Sequence, residues 1–127
     1  MHFPLVHALI LNFNGKQLLL ETLASVVQIT YPNFKIIVVD NGSSDGSQAL
    51  VRAQYSEGIL LENEKNLGFG EGNNVGMRYA LEHGAEWVLL LNNDLTVAPD
   101  LLTHMMAVAM ADATIGILGP KIYYHDQ

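Results

Sequence analysis

Short apolar runs rich in leucine and β-branched residues recur along this chain, each separated from the next by a longer stretch with helical spacing. Few folds accept that alternation. It suits a mostly parallel sheet with helices on its faces, because a strand covered on both sides is apolar throughout while the returning helix needs one apolar stripe. The runs predict five strands: Leu5 to Leu11, Lys35 to Val39, Gly58 to Leu61, Glu86 to Leu91 and Ile115 to Leu118. Four helices fall between them. Lys16 to Ile29 sets Leu19, Leu23, Val26 and Val27 on one face, with Asn14 as its N-cap. The second helix starts near Ser44 or Asp45 and carries Ala49, Leu50 and Ala53. The third runs from about Gly72 to His83, with Val75, Tyr79 and Leu81 as apolar positions and Gly84 placed to end it. Pro99 and Asp100 suit the first turn of the fourth, which continues through Leu102, Met105, Met106 and Ala109. The expected fold is α/β and Rossmann-like.

At 127 residues the chain suits one domain, 1–127, which buries roughly two-thirds of its unfolded surface. A formal charge of −7 with six Lys and Arg leaves no basic patch for a run of phosphates, so DNA and RNA are excluded as partners. The absence of cysteine excludes a disulfide framework and a thiolate metal site, and it suits a reducing compartment. The opening MHFPLVHALILNF has no basic flank or small-residue cleavage site, and its apolar run is far below the ~20 residues that span a bilayer. It reads as a buried strand, and the protein as cytoplasmic, at most peripheral at the inner membrane face. The five histidines, His2, His7, His83, His104 and His125, lack paired metal-ligand spacing.

Ligands of open α/β sheets bind outside the carboxyl ends of the strands, near a switch in strand order. The unusual polar residues fall there. The first strand runs into Asn12-Phe13-Asn14-Gly15, the second into Asp40-Asn41-Gly42-Ser43-Ser44-Asp45 and the fourth into Asn92-Asn93-Asp94. Asn, Asp, Gly and Ser also make ordinary turns and caps, and that reading stands beside the functional one. Two other nucleotide motifs fail. A Walker loop needs a glycine where Ile10 stands, and Ser or Thr where Gln17 follows Gly15-Lys16. A dinucleotide fingerprint needs its glycines right after the first strand, whereas this chain clusters them at Gly68, Gly70, Gly72 and Gly76.

Four segments in this order and spacing, LILNFNG, IIVVDNGSSDGS, NLGFGEGNNVG and WVLLLNNDLTVAPDLL, resemble family 2 glycosyltransferases, and the closing IGILGPKIYY resembles the segment that follows in that family. The likeness covers nearly the whole chain. It implies a GT-A type fold that binds a nucleoside diphosphate sugar, UDP- or dTDP-linked, with Mg2+ or Mn2+. It also implies inverting transfer to a saccharide or lipid-linked acceptor, in the building of cell-surface polysaccharide.

By this resemblance Asn12, Phe13 and Asn14 lie at the nucleoside, where a flat ring can stack on a base and amides can meet base or ribose edges. Phe13 is equally readable as a core residue. Asp40 matches the carboxylate that accepts from base or ribose, against the plainer reading that it caps the Asn41 to Ser44 turn. Asp45 reads as a nucleotide contact or, equally, as a helix start. The glycine-rich segment from Asn66 to Asn74 precedes a helix, so its N–H groups can face the diphosphate; Asn74 is a donor-binding candidate there and Lys65 the nearest cation. Gly72 and Gly76 also read as small residues that admit close helix packing. Asn92-Asn93-Asp94 stands in place of the family's acidic triplet. Its first two positions are amides, so Asp94 is left as the metal ligand, with Asn92 facing ribose or sugar.

Sugar transfer with inversion needs a base at the acceptor hydroxyl. Glu62, Glu64, Glu71 and Asp112 match no base motif, so no catalytic base is assigned, and it is expected beyond Gln127. Two other classes use the same strand-end pocket: a non-catalytic nucleotide-binding or regulatory module, and a nucleotidyltransferase. The second would carry a basic, Gly-rich loop where Asn12 to Gly15 stands.

Overall fold

A computed structural model describes residues 2–124. Four strands, β1 (Val6–Asn12), β2 (Phe34–Asp40), β3 (Ile59–Glu62) and β4 (Trp87–Asn92), form one parallel sheet in the order β3-β2-β1-β4. The chain winds outward from β1 through β2 to β3, then returns to the other side of β1 for β4. That reversal makes the space between β1 and β4 the topological switch point.

Four helices cover the sheet: α1 (Lys16–Val26), α2 (Ser47–Gln54), α3 (Gly68–Glu82) and α4 (Leu101–Ala111). Strand side chains alternate between two apolar layers. Ala8, Ile10, Val38, Leu89 and Leu91 meet Leu19 and Leu23 of α1, Val51 of α2, and Leu102 and Met106 of α4. Leu9, Ile37 and Val39 meet Val75 and Tyr79 of α3 on the opposite face. The central strands β1 and β2 are therefore covered on both faces, as the sequence implied, whereas Leu90 on the edge strand β4 is 48% exposed.

The fifth strand does not form. Ile115 to Leu118 has no ladder partner among the described residues, and Ile117 is 95% exposed. An apolar run becomes a strand only when a neighbour takes up its N–H and C=O groups. Here Asp112 closes α4 instead, accepting from the N–H and hydroxyl of Thr114. Helix faces also shift. In α2 the inward residues are Ser47 and Val51, with Ala49 and Ala53 exposed, and in α3 Leu81 points outward at 75% exposure. The inner face of α3 is Gly72, Asn73, Gly76 and Ala80, since a Cβ on Gly76 would lie 2.9 Å from both Leu9 and Val39. Small residues thus let α3 lie close on β1 and β2. Helix α1 stops at Val26 rather than Ile29, and Gly84, at φ +82, ends α3 as expected.

His7 sits on β1 beneath α3, fully buried, and neither ring nitrogen has a hydrogen-bond partner. Burial, with Lys35 and His83 adding positive charge nearby, holds its pKa below the ordinary 6.5. The fold therefore favours the neutral ring, while the unfolded chain takes up the proton near 6.5. Its contribution is complete above that value and drains as pH falls below it towards the lower folded value. Urea titrations at pH 7.5 and 5.5 should show His7→Leu losing less stability on acidification than the parent; equal losses would remove His7 as a cause.

Candidate functional site

Three strand ends lie level in the sheet, with Asn12 in register with Asp40 and Leu11 with Asn92. Each end does a different job. Asp40 is 1% exposed and both its oxygens are occupied. Oδ1 accepts from Asn12 Nδ2 at 3.0 Å and the Ser43 hydroxyl at 2.7 Å; Oδ2 accepts from Ser43 N at 2.9 Å and Gln48 Nε2 at 2.8 Å. A carboxylate with four protein donors is a hub that sets the shape of the loop. Its structural role is on view, and a ligand would have to displace a donor to reach it.

Asn14 has a φ of 51° and does not cap α1, whose N-cap is Gly15 with no side-chain bond. It braces two loops instead: Asn14 Oδ1 accepts from Ser44 N at 2.8 Å, and Asn14 N donates to the Ser43 hydroxyl at 2.8 Å. Capping is done from across the gap by Asp45, which accepts from Lys16 N at 2.9 Å and from Ser47 N at 3.0 Å. One carboxylate thereby serves the starts of both α1 and α2, a reach across loops that sequence spacing does not reveal. Burial raises the Asp45 pKa, but the Ser47 hydroxyl and the N–H groups of Lys16 and Ser47 outweigh it, so the carboxyl lies below its usual range.

A cavity of about 330 Å³ opens above the switch point, lined by Leu11, Phe13, Asn41, Asn66, Gly68, Phe69, Asn92, Asn93 and Asp94. Of the residues singled out in the sequence, Phe13, Asn92 and Asp94 line it. Asn12 and Asp40 lie buried and bonded to each other at the strand ends behind these loops, while Asn14 and Asn74 are not among its walls. Asn74 stands exposed on α3, donating to Glu71 at 3.2 Å. Phe13 is 47% exposed and Phe69 68%, so two ring faces are open to a ligand, and Phe13 is no core residue. A wider trough of about 730 Å³ lies around Phe34, Lys35, Tyr55 and Glu57, at the opposite edge of the sheet. It gathers no residue marked by the sequence, and the strand-end cavity is where the topology places ligands.

The sequence marked Asn41, Asn66 and Phe69 only as members of their loops, with no role of their own, and all three line the cavity. Helix α3 begins at Gly68, a turn earlier than expected, because Asn66 Oδ1 accepts from Gly68 N at 2.8 Å and Asn41 Nδ2 donates to Gly68 O at 3.1 Å. Its first turn thus borders the cavity. No Lys or Arg lines the cavity, Lys65 included, and among the described residues no cluster of three acidic or histidine ligands exists to hold a metal. The donor set offers one exposed carboxylate, Asp94, beside side-chain amides. Such a set fits a hard cation only when ligand oxygens complete the shell.

The model of the family described as Glycosyl transferase family 2 matches residues 8–127. The chain belongs to that family. Within it, the chain is 32% identical over 93 residues to galactofuranosyltransferase GlfT1 of Mycolicibacterium smegmatis, covering 73% of this chain and 31% of that one. Among solved structures, the mannosyltransferase PcManGT of Pyrobaculum calidifontis, in complex with GDP-Man and Mn2+, superposes with a TM-score of 0.81 and 26% identity, over 91% of this chain and 35% of that one. TarS of S. aureus, residues 1–349 in complex with UDP-GlcNAc, shares the fold with a TM-score of 0.76 at 21% identity, over 92% of this chain and 37% of that one. The chain spans between 14% and 35% of the length of the curated family relatives it matches. The likeness to these two structures is one of fold, a parallel sheet with flanking helices.

Proposed function

We propose that this chain is the donor-binding part of an enzyme that moves a sugar from a nucleoside diphosphate sugar to an acceptor hydroxyl, with inversion. One observation carries the reading: the ends of β1, β2 and β4 and the first turn of α3 meet in a single cavity that presents two open rings, the exposed amides of Asn66 and Asn92 and a carboxylate, with Asn41 and Asn93 bonded into its wall. Rings suit a nucleobase and amides suit base, ribose or sugar hydroxyls. Phe13 stacks on the base, and Asn92 faces ribose or sugar. Asn12 and Asp40 hold the base-side loop in place.

A diphosphate brings negative charge into a cavity whose one charged side chain is itself negative. Asp94, together with the diphosphate oxygens, would hold Mg2+ or Mn2+ against that repulsion. When bound, such a cation offsets the charge that develops on the departing nucleotide. The chain's own part is to hold Asp94 at the rim, to keep the α3 N-terminus facing the phosphates and to stack the base. The acceptor is a saccharide or a lipid-linked one. No helix among the described residues is long and apolar enough to cross a membrane.

The test is calorimetric titration of the chain with uridine, thymidine and guanosine diphosphates, each with and without MnCl2. Mn2+ should tighten binding of the preferred nucleotide by roughly tenfold or more. Asp94→Asn, which keeps size but removes charge, should abolish most of that gain. Equal gain in both proteins would take Asp94 out of the cation site; no binding of any nucleotide would end the reading.

A further inference from the structure

Asn92-Asn93-Asp94 occupies the place of an acidic triplet, and the geometry explains why its middle residue is an amide. Asn12 is fully buried, and its Nδ2 donates to Asp40 Oδ1 at 3.0 Å and to the Ser43 hydroxyl at 3.3 Å. An ionised carboxylate only accepts, so Asp40 dictates which way the Asn12 amide points. Its oxygen is then turned towards β4, where Asn93 Nδ2 donates to it at 2.9 Å. Position 93 must therefore supply a donor. A carboxylate there would meet the Asn12 oxygen, and turning Asn12 over would only move the clash of oxygens to Asp40.

Space for this contact comes from Gly15, on which a Cβ would lie 2.2 Å from Asn93 Nδ2. That accounts for a bare glycine at the N-cap of α1. On the far side of Asp94, Leu95 N donates to Thr22 Oγ1 at 3.2 Å, and Thr22 is fully buried. Asp94 itself is exposed at the cavity rim, so its neighbours on both sides are anchored while its carboxylate is left to the cavity.

We infer that Asn93 and Thr22 are positioning residues that hold Asp94 for a cation, and that Asp40, through Asn12, prescribes the amide at position 93. The inference rests on the donor-binding reading above and adds a specificity to it: within this network an added carboxylate is harmful. Simple charge counting says the opposite, since Asn93→Asp restores an acid to the triplet and should strengthen a divalent cation site. The network says that it breaks the Asn12 contact and lets the Asp94 loop drift.

The experiment uses the 127-residue chain, the diphosphate that the parent binds best, and MnCl2; the quantity read is the ratio of Kd without Mn2+ to Kd with it. Asn93→Asp should lower that ratio by roughly tenfold, the usual scale for losing a group that orients a metal ligand. Thr22→Val, equal in shape but without the acceptor, should lower it several-fold, and Thr22→Ser should restore it, with thermal midpoints measured for both. A general loss of structure would weaken binding equally with and without Mn2+ and leave the ratio unchanged. Hydrogen exchange at the Leu95 amide, read without nucleotide, should quicken in Thr22→Val and not in Thr22→Ser.

An Asn93→Asp ratio at or above the parent's would overturn the inference, as would a Thr22→Val protein with parental ratio and exchange. Should Asn93→Asp fail to fold, the Thr22 pair decides. A parent ratio of one would instead defeat the cation reading, and Leu95 exchange alone would then judge the anchoring.

Discussion

Asp40→Ala should cost about 3 kcal/mol of stability and lower the thermal midpoint by about 10 °C, although Asp40 stands at a strand end and not in the apolar core. The reason is its four donors. Removing the carboxylate leaves one N–H each of Asn12 and Gln48, and the Ser43 N–H and hydroxyl, without their acceptor, in a site that is 1% exposed. Water entering the gap recovers part of the loss, which keeps the cost below the sum of four unmade bonds. Asp40→Asn should be nearly as damaging, because it keeps the volume but turns an acceptor into a donor among donors. Nucleoside diphosphate affinity should fall as well, since Asn12 loses the partner that orients it towards Asn93. Thermal unfolding and calorimetry on the same samples check both statements. A midpoint within 2–3 °C of the parent, on the order of what an ordinary surface substitution gives, would show that the loop does not depend on this hub. Unchanged affinity would remove Asp40 from donor recognition.

The edge that carries the site was legible because each polar cluster directly follows an apolar run, and a parallel sheet must bring such ends together. Which side chains face the cavity was legible only in part, through Phe13, Asn92 and Asp94. Asp40 does cap its own turn through Ser43, as the plainer reading had it, but Asn12 is tied to Asp40 and Asn93 and Asn14 to Ser43 and Ser44, bonds that reach 28 to 81 positions along the chain. Spacing along the chain holds no record of such pairings. Helix α3 was placed a turn late for a different reason. Gly68 and Gly70 are poor helix residues, and intrinsic preference argues for a loop there. Two asparagine side chains from outside the helix offset that preference at Gly68. Ile115 to Leu118 misled in the reverse sense, since composition marks a run as fit for a sheet but cannot provide the neighbour it must pair with. The small inward face of α3 was anticipated through Gly72 and Gly76, because glycine at a buried helix position has few other uses. Asn93 was passed over as one of two amides, and its importance depends on the direction of a bond made by Asn12.

Mixed with donor and acceptor, this 127-residue chain should bind nucleotide yet transfer sugar at a rate at least 10²–10⁴-fold, by order of magnitude, below a chain that carries the base. Deprotonating the acceptor hydroxyl calls for a basic group beside the donor, and Asp94 is the single titratable side chain in the cavity wall. A carboxylate committed to a cation is a poor base. Several other acids are occupied: Glu62 with Arg52, Glu71 with Arg78 and Asn74, Asp45 at two helix starts, Asp112 in its turn with Thr114. Their hydrogen bonds hold the pKa values of Glu71 and Asp112 below the usual carboxylate range, which makes them weaker bases still. The chain spans 31% and 35% of two curated relatives, and a longer chain of their extent is the proper comparison. Both chains should bind the nucleoside diphosphate with Kd values within about tenfold, because strand-end loops present in both supply the contacts; only the longer should release nucleotide in step with sugar transfer. Rapid transfer by the short chain would overturn this division of labour. Alanine substitution of Glu62, Glu64, Glu71 and Asp112 in turn would then find the base, since the one whose loss cut transfer without weakening nucleotide binding would be it.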